Sequence, residues 1–207
     1  MKPKDYNHII LPQHTGKEIE AEASVTLASN DDAILFYRIA KQRLLQVNKW
    51  HQVSGLLSAK FQLTDENGKE INDDAQQGNY IRVDIPGPGS QAGDGYDWGL
   101  IEELKEAAFE NIQSIGFRVR PASNPVKDSG HIAHFYDKEA TSNFIITREG
   151  STVTASVIDR NIKPNDDAQS LTDKIRHTVA GMAALGAFSK IQWQQLAEGL
   201  VKKENSK

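Results

Sequence analysis

The chain has no cysteine, no long apolar run and no concentration of one charge. Without cysteine there are no disulfides, no thiolate metal sites and no cysteine nucleophile. No apolar stretch approaches the ~18 residues that cross a bilayer, so membrane insertion is not expected. The opening segment, MKPKDYNHIILPQ, is apolar only at Ile9, Ile10 and Leu11, too short for the core of a signal peptide. The 24 basic and 28 acidic residues give a net charge of −4, scattered without long blocks. Nucleic acid and anionic membranes both need a concentrated positive surface, so neither is expected as a partner. What remains is a 207-residue chain, 38% hydrophobic and 25% charged. Its length favours one domain, and its composition a soluble cytoplasmic protein.

The order of elements can be read from periodicity. Residues 1–17 are polar with Pro3, Pro12 and Gly16, and read as a lead-in arm. Ile19, Ala21, Ala23, Val25 and Leu27 alternate with polar residues, the pattern of a strand with one buried face. Ser29, Asn30, Asp31 and Asp32 then offer a cap and acids for a helix N-terminus. Ile34, Leu35, Ile39, Leu44 and Val47 continue at helical spacing, predicting an amphipathic helix over 31–46. Asn48 to His51 fits a second short helix. Strands are predicted over 57–64 and 80–85, and from Ile115, Phe117 and Val119 up to Pro121. Residues 97–104 fit a strand, but Ile101, Leu104, Ala108 and Ile112 also fit a helix. Three further strands are predicted over 131–136, 143–148 and 152–159, the last two joined by a tight hairpin at Glu149 and Gly150. Ser170 with Asp173 resembles an N-terminal cap. An apolar stripe from Leu171 through Met182, Trp193 and Leu196 to Leu200 predicts a long terminal helix, with Gly181 and Gly186 as weak points. The domain is therefore expected over 18–203, with a frayed tail over 204–207.

The order is strand, helix, about six antiparallel strands and a terminal helix. The stretch EIEAEASVTLAS, running straight into DDAILFYRIAK, and the later DKIRHTVAGMAALG carry a resemblance to the START and birch-pollen-allergen superfamily (SRPBCC). This resemblance spans residues 19–201 and implies a helix-grip fold. The α+β chain would curve an antiparallel sheet around the C-terminal helix and leave a cavity between them. It also implies a small, largely apolar or amphipathic ligand in that cavity and no cofactor. The segment AHFYDKEATSNFIITREG resembles sequence from uncharacterised bacterial proteins, which brings no function with it.

No residue set names a reaction. The loop from Pro86 to Trp98 is rich in glycine and reads as a cavity-mouth or structural loop. As a phosphate cradle it lacks donors, because Pro86 and Pro88 have no N–H, and no GK[ST] follows. Asp84, Asp94 and Asp97 carry calcium-type oxygens but at no EF-hand spacing. His131 and His134 point to opposite faces if their segment is a strand, so no metal site is expected. Trp98, Tyr136 and Trp193 suit a cavity wall. Arg118 and Arg120 share a face, and with Arg160 could clamp an anion if that face is inside; facing water, they are ordinary solvated charges. His134, Tyr136 and Asp137 are the acid–base candidates if the cavity belongs to a cyclase- or hydrolase-type enzyme. A third reading is a homodimer or partner complex formed through an exposed apolar stripe on the terminal helix.

Overall fold

A computed structural model describes residues 4–54, 59–85, 90, 92–127, 130–165 and 179–203, with side chains of 179–185 excepted. The chain opens with β1 (Lys17–Thr26), whose alternation the sequence carries openly. Ser29 caps α1 (Asn30–Leu45): its hydroxyl accepts the Asp32 N–H at 3.1 Å, with Asp31 and Asp32 in the first turn. A 3-10 turn, Val47–Lys49, and the short α2, Trp50–Val53, follow. Then come β2 (Lys60–Thr64), β3 (Tyr80–Asp84), β4 (Asp97–Phe109), β5 (Ile112–Pro121), β6 (Thr141–Glu149) and β7 (Thr152–Ile162). The helix α3 (Val179–Leu200) runs unbroken through Gly181 and Gly186. The expected helix start at Ser170, the strand start at 57–58, the tail 204–207 and the glycine-loop positions 86–89 and 91 lie outside the described residues.

The strands form one antiparallel sheet in the order β1-β7-β6-β5-β4-β3-β2. After β1 the helices carry the chain to the far edge. It then meanders back strand by strand until β7 pairs with β1, Ala23 opposite Ala155. This curved α+β arrangement, with α3 against β1 and β7, is a helix-grip fold. One face carries the main core: Val153, Ala155 and Val157 from β7, Phe117 from β5 and Phe144 from β6 meet α1 and the end of α3. Trp50 sits at its centre, fully buried, stacked on Phe117 and tilted against Phe144 with its ring centroid 4.8 Å away. Gly199 lets α3 approach α2, since a Cβ there would stand 2.1 Å from the Val53 carbonyl oxygen.

The structure settles one element that the sequence left open and overturns another. Residues 101–109 form strand, not helix, with a turn at 110–111 before β5, and the register slips between Ile101 and Glu103. The bulge puts one extra residue between Ile101 and Leu104, so both face the core although they are three apart. Helical spacing is thus mimicked by a bulged strand. Residues 131–136 form no ladder; only a bridge from Tyr136 to Pro164 is present. Phe135 and Tyr136 are consecutive and both buried, which an alternating strand on a one-sided core does not allow.

The other face of the sheet is covered by the N-terminal arm. Ile9 is fully buried against Ile145 and Ile158. It seats there because Gly116 has no side chain: a Cβ would lie 2.5 Å from the Ile9 Cδ1. Asn161 fastens the arm, its Oδ1 accepting from the His14 N–H at 2.9 Å.

Candidate functional site

A cavity of about 60 Å³ lies between the core face of β2–β6 and α3. Its body is aromatic and aliphatic: Trp50, Phe61, Val83, Val119, Phe144 and Phe188. One end is polar, formed by His134 and Tyr136 from the 131–136 segment, Ser142 from β6, and Ser189, Gln192 and Trp193 from α3. Two hydrogen bonds seat α3 over it. The Gln192 Oε1 accepts the Ala59 N–H at 3.1 Å, and the Trp193 indole N–H donates to Asp159 Oδ2 at 2.9 Å. The Trp193 ring stands edge-on to Phe144, 5.2 Å between centroids.

Asp159 completes the polar end. It follows Val153, Ala155 and Val157 at period two on β7, so its carboxyl enters the core face. It is 1% exposed. Its cross-strand partner, Ser142, and its donor, Trp193, both line the cavity. Burial pushes the carboxyl up to about 6, against the opposing pull of Ser142, Trp193 and the Arg160 charge. Oδ1 has no hydrogen-bond partner among the described residues. The Tyr136 hydroxyl lies 3.4 Å from the Ser189 hydroxyl. Burial, then the negative charges of Asp159 and Asp97, raise its pKa well above the usual phenol range, so it stays protonated.

His134 and Tyr136 face the cavity together, ring centroids 5.6 Å apart. The His134 Nδ1 accepts the Tyr136 backbone N–H at 3.0 Å, which leaves Nε2 as the ring's donor when the imidazole is neutral. Asp137 does not join them: its Oδ1 accepts the Glu139 N–H at 2.9 Å, shaping the turn into β6. Trp98 does not line the cavity; its neighbour Gly99 does. On an alternating strand Trp98 therefore faces the other side, where its indole N–H donates to the Gly93 carbonyl at 3.2 Å.

Arg118 and Arg120 also lie on the opposite face, because Phe117 and Val119 take the inner one. Both hydrogen-bond Glu102, Arg120 through Nε at 2.6 Å; Arg118 also pairs with Glu103 at 2.9 Å and donates to the Ile9 carbonyl. Alternation from Ile101 puts Glu102 there, and the β4 bulge lets Glu103 reach Arg118 as well. Burial pushes the Glu102 carboxyl up, but the hydrogen bonds from Arg120 and Arg118 outweigh it and hold it below the usual range. Arg160 pairs with Glu18 and Glu20. These arginines are structural ion pairs outside the cavity. Asp94 pairs with Lys127, while Asp97 is buried near Tyr136. Among the described residues, no three histidine or acidic side chains converge as a metal site, and no helix is long and apolar enough to cross a membrane.

No family model and no curated protein sequence matches the chain. Solved structures do. Ginseng major latex-like protein 151 from Panax ginseng is 12% identical over 84% of this chain and 98% of its own, with a TM-score of 0.31. Ara h 8.0201 is 12% identical over 89% and 99%, TM-score 0.34. Truncated norcoclaurine synthase from Thalictrum flavum is 11% identical over 94% and 100%, TM-score 0.33. They belong to the START and birch-pollen-allergen superfamily that the element order resembles. At these identities and scores the likeness carries no argument about what this chain does; its fold rests on its own strand order.

Proposed function

We propose that this protein binds a small, largely apolar molecule in the cavity between sheet and α3. The observation that carries this reading is the combination of an aromatic body with one polar end. Such a site holds a guest by apolar contact and orients it by few hydrogen bonds. The guest is small. The cavity measures about 60 Å³, small beside the ~150 Å³ apolar cavity that admits benzene.

A catalytic reading has one observation in its favour, that His134 and Tyr136 both face the cavity. It would use His134 as the proton-transferring group, without Asp137. Pairing of two copies through α3 has less support, since Leu196, Ala197 and Leu200 are buried in the core.

Native mass spectrometry of freshly purified protein reads a retained guest, and saturation-transfer NMR with added 1-butanol reads an accessible cavity. A signal in either, lost when Ala59→Leu fills the wall, is the expected result. Silence in both overturns the binding reading.

A further inference from the structure

We infer that the guest is a short-chain amine, its alkyl end among the aromatic side chains and its ammonium group at the Ser142–Trp193 wall, against Asp159. This rests on the binding reading above and adds the ligand's chemistry. Five residues hold a buried side-chain atom without a hydrogen-bond partner among the described residues: Asn7, Thr64, Thr141, Asn143 and Asp159. Four of these are neutral. Asp159 alone is ionisable, and it alone stands beside the cavity. Leaving a carboxylate oxygen buried and unpaired costs more than leaving an amide or hydroxyl so.

The surroundings choose the sign of the guest. No lysine or arginine is among the residues lining the cavity. The arginines that adjoin wall residues in sequence, Arg82, Arg118 and Arg120, and Arg160 next to Asp159, are engaged by Glu70, Glu102, Glu103, Glu18 and Glu20. Asp159 stands behind Ser142 and Trp193 at this end, a carboxyl on the core face with no lysine or arginine among the wall residues. A carboxylate or phosphate would meet like charge there. An ammonium group brings three donors and no acceptor, and the acceptors at hand are the Asp159 Oδ1 and the hydroxyl oxygens of Ser142 and Tyr136.

The test compares n-propylamine with 1-propanol, which share a skeleton and differ in the terminal group. Two-dimensional NMR near neutral pH follows the Trp193 indole N–H and the cavity residues, in wild type and in Asp159→Asn, which keeps an oxygen acceptor for Trp193. The amine is expected to bind about tenfold tighter than the alcohol in wild type, the size of one charge-assisted hydrogen bond. That ratio is expected to fall to within about twofold in Asp159→Asn. Equal affinities in wild type, or a preference that survives the substitution, overturn the amine assignment and leave the cavity reading standing. Perturbation of the cavity by neither probe overturns both. If the variant does not fold, the wild-type ratio decides alone.

Discussion

The two faces of the sheet handle buried charge in opposite ways. On the outer face, Glu102 is answered by Arg118 and Arg120, and Arg160 by Glu18 and Glu20. On the inner face, Asp159 is more deeply buried and has no ion pair among the described residues; Trp193 donates to one of its oxygens, and Ser142 stands beside it on β6. Paired charges lower a carboxyl's pKa and add to stability at neutral pH; a desolvated carboxyl does the reverse. The contrast separates structure from function. Among the described residues the outer acids and arginines answer one another, whereas the inner carboxyl keeps the oxygen that the proposed guest would engage.

The largest effect is expected at the centre of the inner face. Trp50→Ala removes a fully buried side chain stacked on Phe117 and should cost about 3–5 kcal/mol in urea unfolding. A loss under about 1 kcal/mol would mean that the inner face is not one packed unit.

Next comes the pH dependence of Asp159→Asn. The Asp159 carboxyl is raised from 3.8 to about 6 in the fold, so the folded state takes up its proton first as pH falls. Its ionisation therefore weakens the fold above about pH 6, and the penalty vanishes below about pH 4. Relative to wild type, Asp159→Asn should gain about 3 kcal/mol on going from acid to neutral pH. A flat difference would break the comparison of the two faces.

The smallest effect belongs to the outer face and has the opposite sign. Glu102→Gln should cost about 1 kcal/mol at neutral pH, given partial solvent screening. Because the Glu102 carboxyl is held below its usual value, that cost should shrink as pH falls through the folded value. Binding of 1-butanol should be unaffected.

Much of this architecture is local in origin and could be read without coordinates. The alternation of β1 and the Ser29 cap of α1 are decided by neighbours in sequence. The terminal stripe is read correctly at Trp193, Leu196 and Leu200 because a helix repeats its face locally. What the sequence left open or misread has non-local causes. Ile101 and Leu104 look helical because a bulge, set by pairing with β5, adds one residue between them. GHIAHFYD looks like a strand, but Phe135 and Tyr136 are both drawn inside when the segment folds across the sheet end. The side taken by Arg118 and Arg120 depends on Phe117 and Val119 facing the core, and the bulge brings Glu103 beside Glu102 to meet Arg118. Trp98 takes the outer side for the same reason that Gly99 takes the inner. Asp159 was legible in principle: an acid in phase with Val153, Ala155 and Val157 is an ionisable group on an apolar face, a stronger signal than the adjacent Arg160.

The most direct test is a two-dimensional NMR titration with dissolved xenon, an uncharged probe that enters apolar cavities. The expected result is shifts at Phe61, Phe144 and the Trp193 indole N–H, with none at Ile9, Ile145 or Ile158 on the outer face. No shift at the cavity residues, or shifts centred on Ile9, would contradict the assignment of the inner face as the binding site.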